Sequence, residues 1–454
     1  MSVNKNTKYE IDMCSGRIIG KMLLFALPLM LSSILQLLFN AADIIVVGRF
    51  AGDHSLAAVG STGSIVNLLT NVFLGLSVGA NVMVARFKGA GRDKDVSRTV
   101  HTSITLSLIS GAILTLVGVI GAKQILVWMS SPDEVINLSA LYLRIYFLGM
   151  IPNMFYNFGA AILRSVGDTR RPLYYLFLAG IINVILNLIF VIFLGMDVAG
   201  VALATIISQT ISAVLVLICL MREESSIRLD LRLLRVDKVI CRDIMRIGLP
   251  SGFQGLLFSF SNVIIQSSVN SFGATIVAAN SAAANIEGFV WVAMNAFHQA
   301  AVSFTGQNYG AGKRDRVLHV MKDALISVFV TGLILGQCAY RFGHPLVGLY
   351  TANKEVVELG IERIKWVCGT YYLCGMMDVM VGVIRGLGYS IMPMIVSLIG
   401  ACGLRLLWIF TFFQSSQFHK PMWLYVTYPA SWTITFMIHV ICFIIVWKKI
   451  KRRG

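Results

Sequence analysis

Residues 18–47 have the sequence IIGKMLLFALPLMLSSILQLLFNAADIIVV, in which Lys21 and Asp43 are the only charged residues. About 20 predominantly apolar residues are enough for a helix to cross a bilayer. The run is too long for the apolar core of a secretory signal peptide, which is about 7–15 residues. It therefore predicts a transmembrane helix that carries one acid, Asp43.

Comparable apolar stretches recur along all 454 residues, of which 57% are hydrophobic and 13% are charged. A soluble domain has roughly 25% charged residues, so this chain has too few polar groups to cover a surface in water. The composition predicts an all-α integral membrane protein of about twelve transmembrane helices. We expect them near residues 18–47, 55–84, 98–121, 135–161, 172–195, 198–221, 244–270, 274–303, 318–340, 356–382, 392–413 and 424–447.

The net charge of +16 is concentrated in the loops on one side of these helices. Lys and Arg accumulate in cytoplasmic loops, so this side is expected to be cytoplasmic, together with both termini, in a multi-pass protein of the cell membrane. The charge is weak evidence for a nucleic-acid partner, and we expect none. The basic groups on this side include Lys5, Lys8, Arg17, Lys21, Arg86, Lys88, Arg92, Arg164, Arg170, Arg171, Arg228, Arg235, Lys313, Arg314, Arg385, Lys448, Lys451 and Arg453.

The two halves of the chain resemble each other at a shift of 221 residues. Residues 88–92, KGAGR, align with residues 309–313, YGAGK, and residues 162–167, ILRSVG, align with residues 383–388, VIRGLG. Pro172 aligns with Pro393 in the same register. The chain is therefore expected to contain two copies of a six-helix unit.

An even number of helices gives both copies the same orientation in the membrane. We expect two six-helix bundles related by a pseudo-two-fold axis along the membrane normal, as in transporters built from parallel repeats. The predicted organisation is an N-terminal lobe at 1–221, a basic cytoplasmic linker at 222–246 and a C-terminal lobe at 247–454. Substrate sites in such proteins lie near the membrane midplane.

The order, spacing and duplication of these motifs resemble the multidrug and toxic compound extrusion (MATE) family over essentially the full chain. The resemblance implies twelve helices in two lobes, and secondary active antiport of small organic, often cationic, compounds in exchange for Na⁺ or H⁺ by alternating access. The motifs that carry it are Pro28, Asn40 to Arg49, the two Gly-Ala-Gly-basic loops, Gly306 to Gly312, and the Arg-x-x-Gly pair at Arg164 and Arg385.

Asp43 is the strongest candidate for ion coupling, because acids inside the membrane are rare and costly. Asn40 lies three residues earlier, on the same face of the helix. A carboxylate beside amide oxygens can bind a hard monovalent cation, and the same carboxylate can instead take up a proton. A structural ion pair or hydrogen bond within the lobe is the alternative role for Asp43.

The resemblance extends this site to two further helices. One branch of the family places an Asn and an Asp four residues apart in helix 5, and a Thr in helix 6. This chain has Asn183, Asn187 and Thr205 at the corresponding positions, so the second acid is an amide. One carboxylate with three neutral oxygens matches a single Na⁺ or a single proton, and ordinary hydrogen bonding between helices is the alternative.

The second half has two deep acids, Glu287 and Asp378. They are expected either to attract substrate to a cavity or to pair with Arg405, since deep charges usually pair with one another. Gln254 lies in helix 7, near the position where another branch of the family has an acid. The ion site of that branch is therefore incomplete in this chain.

The sequence gives less support to an enzyme or a metal-binding protein. The eight cysteines show no C-x-x-C spacing, and no zinc-protease or nucleophile-elbow motif occurs, so an enzyme is not expected. No cofactor is expected beyond the coupling ion, and no metal apart from possible Na⁺ at Asp43. The resemblance implies a small organic substrate and membrane lipid as partners, and the chain is expected to be a monomer. A flippase for lipid-linked precursors remains the alternative function.

Overall fold

The computed structural model describes residues 9–129 and 133–452. Most of these residues are in helices. Lys5, Lys8 and Arg453, part of the predicted cytoplasmic charge, lie outside the described residues. The first eight helices are α1 (Ile18–Phe50), α2 (Asp53–Gly89), α3 (Asp93–Trp128), α4 (Asp133–Leu148), α5 (Met150–Ser165), α6 (Arg170–Asn187), α7 (Asp197–Met221) and α8 (Lys238–Asn270). The second eight are α9 (Ala274–Gly310), α10 (Arg314–Arg341), α11 (Gly343–Gly348), α12 (Lys354–Trp366), α13 (Tyr371–Gly386), α14 (Ile391–Ser397), α15 (Leu404–Phe410) and α16 (Pro421–Arg452).

Ten helical segments of the described chain are long and apolar enough to cross a membrane, and a bent pair, α4 with α5, makes eleven. Helix α8 has 33 residues but lies outside this set, because Gln254, Ser259 and Gln266 interrupt its apolar sequence. Large apolar side chains face outward on these helices; Ile120 is 77% exposed and Phe193 is 79% exposed. Such a surface is stable in lipid and not in water. The fold is therefore the predicted all-α membrane architecture of about twelve spans.

Several predicted spans are broken or longer than expected. The predicted helix 135–161 is two helices with a 49° bend between Leu148 and Met150. Pro152 explains the break, because its ring clashes with the carbonyl four residues earlier. A π-helical turn follows α6 at Leu188–Phe193, and a second separates α14 from α15 at Leu398–Gly403.

The internal repeat is present in the helix boundaries themselves. Helices α2 and α9 each have 37 residues, and a shift of 221 places Asp53–Gly89 on Ala274–Gly310. The loops that follow turn at Gly91, with φ of 65°, and at Gly312, with φ of 70°. Residues with a side chain rarely adopt this left-handed conformation, so glycine is favoured at both corresponding turns.

The described chain forms two compact units. The first consists of Leu31–Gly252 and the segment that ends at Asp12; the second consists of Met13–Met30 and the chain from Phe253 onward. In the first unit, α3 packs on α4 and α5, and α6 packs on α7. In the second, α13 packs on α9, α10 and α16. The predicted lobe and linker boundaries remain a prediction.

Candidate functional site

Asp43 of α1 lies beside polar side chains of α6 and α7, all within the first unit. The Nδ2 of Asn187 donates a hydrogen bond to the Asp43 carboxylate, and the Thr205 hydroxyl also interacts with it. Asn187 Nδ2 lies 3.3 Å from Asn183 Oδ1. Residues four apart share one face of a helix, which is why α6 presents both amides to α1. The structure therefore brings together four of the five residues predicted for ion coupling.

The cluster contains carboxylate, amide and hydroxyl oxygens, which are the atoms that bind hard cations. Asn187 is fully buried, and its Oδ1 has no hydrogen-bond partner among the described residues. Thr205 donates its proton to the Val201 carbonyl at 2.9 Å, which leaves the lone pairs of its hydroxyl as acceptors. An unpartnered buried acceptor is costly in a protein interior. Carboxylate, amide and hydroxyl oxygens are of the hard type that can bind Na⁺, and the same carboxylate can accept a proton.

Asp43 opens onto a cavity of about 230 Å³. Asp43 is the only carboxylate among the described residues that line it, and Asn40 lines it as well. Asn40 thus shares the cavity with Asp43, while the hydrogen bond to the carboxylate comes from Asn187 of α6. The remaining lining residues are Gln36, Phe39, Tyr146, Asn153, Tyr156, Asn157, Leu176, Ala179, Gly180, Asn183, Thr205, Ser208, Gln209 and Ser212.

Sequence reasoning did not identify most of these lining residues. The available signal was polar side chains inside apolar helices, such as Asn153 and Asn157, which lie four residues apart in α5. Asn157 Nδ2 donates to the Asn153 carbonyl at 2.9 Å. The cavity wall therefore offers amides and hydroxyls to a ligand, and its single acid among the described residues is Asp43.

The acids of the second unit do not pair with Arg405. Arg363 Nη2 donates to Glu287 Oε2 at 2.7 Å and Arg363 Nη1 donates to Asn280 Oδ1 at 2.6 Å. Asp378 interacts electrostatically with Arg385. The expected pairing of Glu287 or Asp378 with Arg405 is therefore not what the structure shows. Arg363 lies in the last turn of α12, and its long side chain is buried in the interior.

Gln254 and Asp378 meet at the same arginine. Arg385 Nη2 donates to Gln254 Oε1 at 2.7 Å. The Asp378 backbone carbonyl accepts a hydrogen bond from His298 Nδ1 at 2.6 Å. Arg405 lies apart from them, and its Nε donates to Ser431 Oγ at 2.8 Å. The second unit thus contains three buried arginines and two deep acids among its described residues.

Comparison with known proteins agrees with this architecture. The MatE family profile matches residues 28–189 and again residues 250–411, so the repeat is a duplication of the family's own unit. The probable multidrug resistance protein YoeA of Bacillus subtilis is 27% identical over 94% of both chains. YpnP of the same organism, also a probable multidrug resistance protein, is 26% identical over 87% of this chain and 88% of its own.

A solved structure shows the same fold. The outward-facing conformation of a multidrug resistance MATE family transporter superimposes with a TM-score of 0.90 at 22% identity, covering 100% of both chains. The family match covers both halves of the repeat, and the relatives extend along nearly the whole chain. The chain is therefore a multi-pass membrane transporter that belongs to the MatE family.

Proposed function

We propose that this chain is a secondary active antiporter that exports small organic compounds, cations among them, in exchange for Na⁺ or H⁺ by alternating access. The observation that carries the proposal is the position of Asp43. It is a carboxylate that lines a polar cavity and is hydrogen-bonded to Asn187. The multidrug resistance names of the relatives support organic compounds as cargo.

Asp43 offers a direct way to couple the two ligands. When neither Na⁺ nor a proton is bound, the ionised carboxylate attracts an organic cation into the cavity. With Na⁺ or a proton bound, that attraction is lost, because the local charge is neutralised. Coupling of this kind requires that each ligand change the affinity for the other by the same factor. A single carboxylate among the described lining residues fits one monovalent ion per cycle.

The protein is expected to act as a monomer in the cell membrane, with both termini in the cytoplasm. The support is the concentration of Lys and Arg on one side of the helices, including Lys449, Lys451 and Arg452 in the last turn of α16. A fluorescent protein fused to the C-terminus should fluoresce in cells, whereas export of that end would leave it dark.

The experiment uses purified protein in liposomes loaded with a fluorescent organic cation. A sodium gradient and a proton gradient are imposed separately, with the membrane potential clamped. We expect one gradient to drive transport by the wild type and not by Asp43→Asn. The matched control is Asp323→Asn, which removes an acid of α10 outside the cavity and should leave transport unchanged.

Two results would contradict the proposal. Gradient-driven transport retained by Asp43→Asn would show that Asp43 does not couple the ion. Failure to transport several organic cations under either gradient would favour the flippase, and lipid-linked compounds would then be the substrates to test.

A further inference from the structure

The segment between α7 and α8, residues 222–237, is held against α3 by hydrogen bonds of its backbone. The backbone N–H of Asp230 donates to His101 Nε2 at 3.1 Å, and the backbone N–H of Asp237 donates to Thr102 Oγ1 at 3.2 Å. Both acceptors are neighbouring side chains of α3. The segment is therefore a fixed part of the first unit, and the side chains that it exposes have defined positions.

Apolar side chains are exposed along this segment and at the start of α8. Leu231 is 46% exposed, Leu233 56%, Val236 40% and Val239 68%. Helix α7 is long and apolar enough to cross a membrane and ends at Met221, so the residues that follow emerge at the membrane surface. Apolar side chains at that level can enter the boundary between lipid headgroups and acyl chains.

Exposed basic side chains alternate with these apolar ones. They are Arg228, Arg232, Arg235, Lys238 and Arg242. Among the described residues, none of the five forms an ion pair with a carboxylate.

The two acids within the same stretch offset little of this charge. The Asp237 carboxylate pairs with Arg98 of α3. The Asp230 carboxylate accepts a hydrogen bond from the backbone N–H of Arg232 at 3.0 Å. Residues 228–242, here called the linker face, therefore carry a surplus of positive charge beside exposed apolar side chains.

This combination fits an anionic membrane surface better than a soluble polyanion. Clusters of four to eight Lys and Arg residues next to a membrane span attract anionic lipids. The linker face has no aromatic residue on which a nucleic-acid base could stack. Its exposed Leu and Val side chains gain nothing from a partner in water, whereas they can insert into a bilayer below the headgroups.

We propose that the linker face binds anionic phospholipid at the membrane surface. The basic side chains contact the lipid phosphates, and the exposed Leu and Val side chains enter the layer below them. The segment that connects the two repeats is thereby held to the bilayer. This role depends on neither the exported compound nor the coupling ion.

The test measures which lipid the purified full chain retains. The protein in detergent is mixed with equal amounts of phosphatidylglycerol and phosphatidylcholine that have the same acyl chains, and bound lipids are counted by native mass spectrometry. Wild type should prefer phosphatidylglycerol, and Arg232→Gln with Arg235→Gln should reduce that preference at least about threefold. Arg232→Lys with Arg235→Lys should keep it, because a phosphate accepts either cation.

The matched control is Lys94→Gln with Lys322→Gln. It also removes two exposed positive charges, but each of these lysines is next to an acid in the sequence and outside the linker face. Its lipid preference should equal that of wild type. The thermal midpoint in phosphatidylcholine nanodiscs shows that each variant is folded.

A second variant tests the apolar part of the linker face. Leu231→Ser with Leu233→Ser keeps every charge and should lower the retention of phosphatidylglycerol at least about twofold, because less apolar surface enters the lipid. Unchanged retention would show a purely ionic surface, suited to a soluble polyanion such as RNA, and would overturn the proposal.

Three other results would also overturn it. The first is an unchanged lipid preference in Arg232→Gln with Arg235→Gln. The second is an equal loss of preference in the control, because net charge alone would then explain the binding. The third is displacement of phosphatidylglycerol by inorganic phosphate at constant ionic strength, which would identify a site for free anions.

Discussion

At the scale of residues, the proposed ion site depends on a carboxylate and an amide in different helices. Asp43 could be identified from the sequence because an acid in an apolar run is costly and therefore conspicuous. Asn187 could be placed beside it only through the family resemblance, since amides are common in helix interfaces. The structure then added the contact itself, with Asn187 Nδ2 donating to the Asp43 carboxylate.

Asn187→Ala is expected to weaken binding of Na⁺ by about ten- to a hundredfold, because it removes Asn187 Oδ1, a buried acceptor without a partner among the described residues. A polar contact with a charged group contributes about 1.5–3 kcal/mol, and each 1.4 kcal/mol corresponds to a factor of about ten. The measurement is the thermal midpoint of the purified protein against Na⁺ concentration, with choline replacing Na⁺. Bound ion raises this midpoint.

Asn157→Ala is the control, because this amide lines the same cavity but donates to Asn153. Its ion titration should match that of wild type. An Asn187→Ala protein with an unshifted titration would mean that Asn187 only packs against α1.

In the second unit, too, the sequence identified charged residues inside the helices but not their contacts. The sequence identified Glu287, Asp378 and Arg405 as deep charges but not which charges pair. Pairing depends on side-chain reach across helices, and Arg363 spans from α12 to both Glu287 and Asn280. The sequence alone does not show that the Arg363 side chain reaches Glu287 and Asn280.

At the scale of elements, most predicted helices exist, and their ends and breaks were the weakest part of the prediction. The apolar pattern used to predict a helix stops at the first charged side chains, whereas the helical hydrogen bonds of the backbone continue beyond them. Arg86 and Lys88, for example, still belong to α2. The prediction missed the break at Pro152 although the proline stands in the sequence, and the π-helical turn at Leu188–Phe193 has no such signal. That turn begins directly after Asn187, and π-helical turns often occur at functional sites.

The contact between α1 and α6 requires glycine at position 180. A Cβ atom added there would lie 1.7 Å from Cε2 of Phe39, the residue before Asn40. Gly180→Ala is therefore expected to displace the Phe39 ring, to destabilise the protein by about 1–3 kcal/mol, as overpacking does, and to reduce transport. Thermal unfolding and the liposome assay measure the two effects.

Gly63→Ala in α2 is the matched change, because a Cβ there meets no atom within 4 Å. It should be neutral or slightly stabilising, since alanine favours a helix over glycine. Equal effects of the two substitutions would remove the steric argument for Gly180.

At the scale of the whole molecule, the duplication was the most informative feature of the sequence. A shift of 221 residues aligned loops whose turns then proved to share left-handed glycines, and the family profile matches each half separately. The differences between the two halves in their interior polar and charged residues were harder to predict. Among the described residues, the first unit holds a single acid at a polar cavity, while in the second Glu287 pairs with Arg363 and the buried Nη2 of Arg405 has no partner.

The central claim is that Asp43 links the coupling ion to the exported compound. The most direct test is the affinity of the purified protein for a fluorescent organic cation, measured against Na⁺ concentration at fixed pH and against pH without Na⁺. Wild type should lose affinity as one of these ions is added, with the dependence of a single competing site. Asp43→Asn should bind the cation more weakly and with no dependence on either ion. If Asp43→Asn kept the ion dependence of wild type, the coupling would lie elsewhere and the account would be wrong.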